Sequence, residues 1–441
     1  MSKTPDLKKF KSFKFGMFVH WGLYSMIGDD CWHVMTDKNI SYDEYMEKTL
    51  PNFDGSECNT DEWAELAKKV GMRYMVFTTR HHDGFSMFDS KHSFGNYTSM
   101  NSPAKRDFVR EFVNSCNKYE LGVGLYYSPI DWRFPGFYYP KMFKKNAEEM
   151  VNQCHKQVEE LVTNYGKIDV LWYDGGEDFI LCHGYDINSF SKPADYKTNP
   201  RYPNFWRDSE LDAVVRQKQP EIVVSPRFGT TKCGDFKVYE CSINNYDTDN
   251  VWETCDRIAN CWGWTPEVQP KSLRTLVKLL IKVVTGGGNL LLNMGPNGKG
   301  KMEPEQVKRL LELGEFVNKY SESIFETEAG PIVNGEYGGT THNQKSVFIH
   351  VTDWRCNELP FPTLNEKVTK VECLTAKDFS YREEKGVLYM NVSDADKCYH
   401  DTIFKITFEK DVEEIFKNFD PHSFKVDAPD IDRFCEIEGR E

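Results

Sequence analysis

Asp174 is the residue whose neighbours best fit it for chemistry. It closes the run Lys167-Ile168-Asp169-Val170-Leu171-Trp172-Tyr173 and is followed by Gly175 and Gly176. Ile168, Val170, Leu171 and Trp172 make the run almost continuously apolar, as expected of a strand covered on both faces. A carboxylate at the C-terminal end of a parallel strand stands where barrel enzymes keep their catalytic groups. The glycines permit a sharp turn and leave space beside the carboxylate. Taken alone, the segment fits better an Asp that only starts a turn.

Histidines recur at comparable places. His20 ends a first strand within Phe15-Gly16-Met17-Phe18-Val19-His20-Trp21-Gly22. It reads either as a buried, satisfied imidazole or as a ligand-binding group. His81 and His82 follow the strand Tyr74–Thr79. Adjacent histidines bring a metal to mind, but neighbours on a regular strand point to opposite faces. The further ligands of a complete set are not close in sequence, so no metal is expected. Neutral imidazole both donates and accepts, which suits a polyhydroxylated ligand. A second carboxylate, Glu240, ends the short strand Gly234–Glu240, and Glu253 follows in Trp252-Glu253.

The elements that must position these groups alternate. A helix over 61–71 has Trp63, Leu66, Ala67 and Val70 on one face, Thr60 or Asp61 as cap and Gly71 as stop. Helices are also predicted over 105–119, 144–165, 207–218, 272–285 and 304–320. Strands are predicted over 122–128, 168–173, 221–226, 234–240 and 289–293, giving about eight in all. Strand–helix alternation of this kind indicates a parallel α/β sheet. The long polar stretch 177–206 lies at the C-terminal rim and is expected to form a wall of the site that reads the leaving group. The glycine run 286–288 precedes its strand and lacks Lys-Ser/Thr, so it is no phosphate loop. Beyond about residue 330, short alternating runs such as 346–351, 386–392 and 402–408 read as antiparallel strands. Two domains are therefore expected, 1–330 and 331–441, an α/β unit long enough for a TIM barrel followed by a small antiparallel β-domain.

Composition narrows the function. The chain has 441 residues and a net charge of −13, which disfavours nucleic acid and anionic membranes as partners. No apolar run approaches the length of a membrane span. The first sixteen residues are basic and lack both an h-region and a small-residue cleavage site, so a cytoplasmic location is expected. Thirteen scattered cysteines without a C-x-x-C pair suggest free thiols in a reducing compartment. Aromatic residues make up 14% of the chain, a bias that leans toward carbohydrate, although core packing must explain most of these rings.

Taken together, FGMFVHWGLYS (15–25), YMVFTTRHHDGFSMFDS (74–90), KRDFV (105–109), GLYYS (124–128), DVLWYDGG (169–176), SPRFG (225–229), GDFKVYE (234–240), WETC (252–255) and GGNLLLNMGP (287–296) resemble the retaining α-L-fucosidases of glycoside hydrolase family 29. The resemblance runs in order over roughly residues 10–330 and implies a (β/α)8-like barrel with a C-terminal β-sandwich. It puts Asp174 at the nucleophile and Glu240 at the general acid/base, with Glu253 a nearby competitor. It assigns His20, Trp32, His81, His82, Tyr126, Trp172, Arg227 and Trp262 to the fucose pocket. One departure stands out: many members carry Glu where this chain has Cys31.

The chemistry agrees with the resemblance. A retaining glycosidase needs two carboxyl groups about 5–5.5 Å apart across the scissile bond. Asp174 and Glu240 both end predicted strands, so one barrel rim can bring them together. Fucose carries a methyl group beside its hydroxyls. Trp and Tyr supply an apolar wall, and the histidines supply hydrogen bonds. The expected activity is hydrolysis of terminal α-L-fucose from fucosylated glycans without a cofactor. A fucose-binding protein that has lost catalysis, a barrel hydrolase of other sugar specificity and a metal-assisted hydrolase using His81 and His82 are the alternatives.

Overall fold

The structure is a computed structural model that describes residues 4–32, 40–140, 142–176, 204–228, 233–266, 269–417 and 419–420. His33, residues 177–203 of the predicted rim loop, Gly229 and the polar stretch from 421 onward lie outside the described residues.

Eight parallel strands make the first sheet: β1 (Phe15–Val19), β2 (Tyr74–Arg80), β3 (Gly122–Tyr127), β4 (Val170–Tyr173), β5 (Val223–Val224), β6 (Lys237–Glu240), β7 (Trp252–Arg257) and β8 (Asn289–Met294). Their order is β5-β4-β3-β2-β1-β8-β7-β6, so the sheet curls through the β1/β8 pairing and is unpaired between its ends, β5 and β6. Asp235 spans that seam. Its N–H donates to the Val224 carbonyl at 2.8 Å, and its carboxylate accepts the Val224 N–H at 2.8 Å. Inside the curl, Phe18, Val76, Tyr126, Val170, Trp172 and Leu291 pack together. Register explains the contact: Phe18 lies opposite Val76, and Tyr126 opposite Trp172. This inner layer is the floor of the cavity described below.

The helices match their predicted places, with shifts at the ends. The helix Thr60–Val70 is capped by Asn59, whose side chain accepts the Asp61 N–H, and ends at Gly71 with φ +92°. Asn59 takes the role assigned to Thr60 or Asp61 because a cap must stay outside the helical conformation. Helices Phe108–Lys118, Lys144–Asn164, Asp208–Lys218, Leu273–Thr285 and Pro304–Lys319 follow. A helix over Tyr42–Thr49 is unpredicted. Its signal is a capping box in which Ser41 accepts from the Glu44 backbone and Glu44 accepts from the Ser41 N–H. The predicted strand over 221–226 shrinks to two residues, since Pro226 has no N–H to donate to a ladder.

The C-terminal strands form two antiparallel sheets. One has the order β13 (Val368–Cys373), β16 (Thr402–Phe408), β11 (Ser346–Val351), β10 (Gly338–His342) and β9 (Glu328–Ala329). The other is β12 (Leu359–Pro362), β15 (Val387–Val392) and β14 (Phe379–Glu384). Val347, Ile349, Phe361, Leu388, Met390, Phe404 and Ile406 pack between them. Asn334 joins this part to the barrel, donating to the carbonyls of Asn245 and Lys282. No described helix is long and apolar enough to cross a membrane.

Candidate active site

β4 carries Asp174 to the C-terminal rim of the parallel sheet, one residue past Tyr173. The next residue must be glycine for two reasons. Gly175 has φ +78°, and a Cβ there would lie 2.6 Å from Ile130 and 2.8 Å from the His82 ring. The Asp174 carboxylate is therefore held close to the β2 and β3 rim. Tyr126 donates its hydroxyl hydrogen to Asp174 Oδ2 at 2.8 Å, and Arg227 Nη2 lies 3.1 Å from Oδ1. His82 Nε2 lies 3.6 Å from Oδ2.

Arg227 reaches further. Its Nη1 contacts Glu240 Oε2 at 2.6 Å, so one guanidinium touches the carboxylates that end β4 and β6. The two groups stand 66 positions apart in sequence (240 − 174) and meet across one cavity. Glu240 is on the open side, with its side chain 42% exposed.

Glu253 takes another place. It is fully buried, accepts the Trp172 indole N–H at 2.8 Å, and accepts a short hydrogen bond from the Tyr74 hydroxyl. Burial pushes its carboxyl up to about 7, against the pull of those two donors. It supports the pocket from behind and does not line it.

The cavity is lined by His20, Trp32, His81, Tyr126, Trp172, Arg227 and Trp262, together with both carboxylates. Of the sequence-predicted pocket residues, only His82 stands behind the lining. Its Nδ1 lies 2.6 Å from Ser128 Oγ. Three lining residues were not picked out as binding groups: Phe18, Cys31 and Cys255. Strand alternation carried the signal for two of them. Phe18 lies two residues before His20 on β1, and Cys255 two after Glu253 on β7, so each shares a face with a residue already singled out.

Asn293 is a further missed residue. It is the penultimate residue of the strand β8 and follows three leucines with an amide. Its Nδ2 donates to the Trp262 carbonyl at 2.7 Å, which leaves its Oδ1 to accept from His20 Nδ1 at 2.7 Å. His20 is thereby fixed with Nδ1 protonated and Nε2 as acceptor. Burial lowers its pKa to about 4, so the ring is neutral near pH 7. His81 is held well below the ordinary histidine range by burial and by its neighbour His82, and its buried Nδ1 has no partner among the described residues. Its ring stacks on Tyr126 at 5.4 Å and 5°. Tyr126 in turn stacks on Trp172 at 19°, which continues the flat aromatic wall. Cys31 is buried, and burial keeps its thiol neutral.

His81, His82 and Asp174 offer ligand atoms within 4.8 Å of one another, the arrangement of a possible cation site. The Arg227 guanidinium opposes a cation there, because it already lies 3.1 Å from Asp174. What the arrangement does supply is two carboxylates linked by one fixed cation, neutral imidazoles for hydroxyl groups, and an aromatic wall.

Comparison with known proteins gives the same reading. The alpha-L-fucosidase family model matches residues 1–322. The plasma alpha-L-fucosidase of Homo sapiens is 29% identical over 346 residues, covering 72% of this chain and 69% of the relative. The tissue enzyme of Bos taurus is 28% identical over 345 residues, covering 72% and 69%. The chain spans about two thirds of the length of the curated relatives it matches. Alpha-L-fucosidase isoenzyme 1 from Paenibacillus thiaminolyticus superposes with a TM-score of 0.78 at 28% identity, covering 92% of this chain and 99% of that one. The Thermotoga maritima alpha-fucosidase in complex with a mechanism based inhibitor gives 0.71 at 26%, covering 92% and 97%. With this fold, this rim of carboxylates and a family match over most of its length, the chain belongs to the alpha-L-fucosidase family of glycoside hydrolases.

Proposed function

We propose that this protein hydrolyses terminal α-L-fucose from fucosylated oligosaccharides or glycoconjugates with retention of configuration. The observation that carries the reading is the Arg227 bridge, which holds the rim carboxylates Asp174 and Glu240 to one cavity.

In the first step Asp174 Oδ attacks the anomeric carbon. The glycosidic bond breaks, and its electron pair goes to the leaving oxygen, which takes the Glu240 proton. The product is a fucosyl ester of Asp174. In the second step Glu240 accepts a proton from water, the hydroxide oxygen bonds to the anomeric carbon, and the ester bond breaks to return Asp174 as carboxylate. Arg227 and the Tyr126 hydroxyl hold the Asp174 carboxylate in place for attack. His20 Nε2 accepts from a sugar hydroxyl, and the neutral His81 ring in the cavity lining supplies a second polar contact. Trp32, Trp172 and Trp262 face the apolar side of fucose, including its methyl group. His82 orients Asp174 from behind. Cys31 offers only a weak hydrogen-bond partner where many relatives of the family carry a carboxylate. No step requires a cofactor. A division into a catalytic barrel over 1–330 and a β-sandwich over 331–441 belongs to this reading. A reducing compartment does too, supported by the eleven described cysteines, all free thiols.

Proton NMR of turnover on an aryl α-L-fucoside tests the reaction. The α-anomer of fucose appearing first supports double displacement through Asp174. The β-anomer first means single displacement and removes the nucleophile role. Fucose binding without release moves the protein to the binding-only reading.

A further inference from the structure

A second concave surface adjoins the fucose cavity and has no part in the chemistry above. It is a groove of about 550 Å³ between the helix Tyr42–Thr49, the turn at Phe94–Tyr97, and Trp132-Arg133. The two sites share a wall. Trp32 lines the cavity, Trp132 lines the groove, and their rings lie 5.3 Å apart. The His82 ring touches both, at 4.8 and 5.5 Å.

The groove is polar and aromatic together. Phe94 is 50% exposed, so part of its ring is open to a ligand. Beside it, Gly95 has φ +66°, and a Cβ there would meet nothing within 4 Å, so open space adjoins the turn that carries the ring. Asp43, Asn96 and Asn101 supply carboxylate and amide groups at its edges. An aromatic face flanked by amides and a carboxylate suits a sugar, which offers C–H faces and hydroxyl hydrogens together. It does not suit a phosphate or another anion.

The groove is also rigid. Arg133 contacts the buried Asp131 through Nε at 2.9 Å and Nη2 at 2.6 Å, and its Nη1 donates to the Phe94 carbonyl at 2.6 Å. Arg80 and Gln153 fix Asp131 from the other side, at 2.7 and 2.9 Å. The turn bearing Phe94 is thereby set before any ligand arrives, which lowers the entropy lost on binding.

Glu240 reaches the cavity from β6, at the far end of the sheet order from β3 and β2, which with β1 carry the connections that build this groove. The sugar directly attached to fucose must keep its oxygen near Glu240, on the β6 side of the cavity, whereas the groove lies on the side of β1 to β3. We propose that this groove is a distal subsite, binding a sugar of the glycan beyond the one that carries the fucose. The proposal rests on the fucosidase reading above.

The test is steady-state kinetics of wild type, Phe94→Ala and Asn96→Trp on an aryl α-L-fucoside and on a panel of fucosylated tri- to pentasaccharides. The expected result is a loss of about three- to tenfold in kcat/KM, through KM, on at least one oligosaccharide, with the aryl fucoside within about twofold of wild type. Unchanged kinetics on every oligosaccharide would overturn the subsite. So would equal losses on oligosaccharide and aryl fucoside, since they mark a structural effect. Absence of aryl-fucoside turnover by wild type would instead reject the fucosidase reading, and with it the occupant proposed for the groove.

Discussion

Replacing each of two glutamates by glutamine separates the acid/base from the group that merely supports the pocket. Glu240 is half exposed beside Arg227, whereas Glu253 is buried between Tyr74 and Trp172. Removing a positioned proton donor costs about 10²–10⁴ in rate, or about 3–5 kcal/mol at 1.36 kcal/mol per tenfold. Glu240→Gln is expected to lose that much on natural glycans and less on an activated aryl fucoside, whose leaving group needs no proton. Azide should then restore turnover and yield α-L-fucosyl azide, because azide can replace the water that Glu240 no longer activates.

Glu253→Gln keeps the acceptor for Trp172 and should cost no more than about tenfold in kcat/KM. Its signature is stability. In the fold the Glu253 carboxyl is raised from 4.5 to about 7. The native state therefore binds more protons than the unfolded chain between those values, and stability falls as pH rises through that window. The penalty reaches about 3 kcal/mol above pH 7 and vanishes below pH 4.5. Glutamine cannot ionise, so urea unfolding of the variant minus wild type should show a difference rising by about 3 kcal/mol from pH 4.5 to pH 8. A flat difference would refute the burial argument. A leaving-group-dependent loss and azide rescue in Glu253→Gln, absent in Glu240→Gln, would exchange the two roles.

Further outcomes follow from the same geometry. Asp174→Gly is expected to abolish turnover with the fold intact by circular dichroism, and azide should yield β-L-fucosyl azide by direct displacement. Wild-type activity in that variant removes Asp174 as nucleophile. His20 has a pKa lowered from 6.5 to about 4. The unfolded chain therefore binds more protons between these values, and stability falls as pH drops through them, by about 3 kcal/mol. His20→Asn should remove that slope in the same urea difference measurement, and an unchanged slope would place the imidazole in water. Asp131→Ala strips the buried Arg80 and Arg133 of their shared carboxylate. A loss of about 3–5 kcal/mol in unfolding free energy is expected. A loss below about 1 kcal/mol would show that water already reaches the pair.

The strands and most helices were legible in the chain because each carries its own local signal. Val170 to Tyr173 is apolar because it is covered on both faces, and Gly71 ends its helix because φ +92° favours glycine. Asp174 could be named from its place between such a strand and two glycines. The helix Tyr42–Thr49 was legible too, through its capping box, but went unpredicted.

The sequence by itself thus determined the alternation of elements, the family, and the candidate groups at the strand ends. What only the tertiary structure decided was how those groups divide their work. Glu240 and Glu253 are both glutamates near a strand, and no local pattern says which of them opens on the cavity. That depends on register: Glu240 pairs with Cys255 at the rim, whereas Glu253 pairs with Val238 one layer deeper on the same inner face, where Tyr74 and Trp172 pack against it. The tautomer of His20 rests on Asn293, which is 273 positions away. The link between the two rim carboxylates rests on a single guanidinium from a third strand end. Local sequence fixes φ, ψ and face. Charge states and hydrogen-bond partners depend on which distant groups share a desolvated volume, and only the closed fold defines that volume.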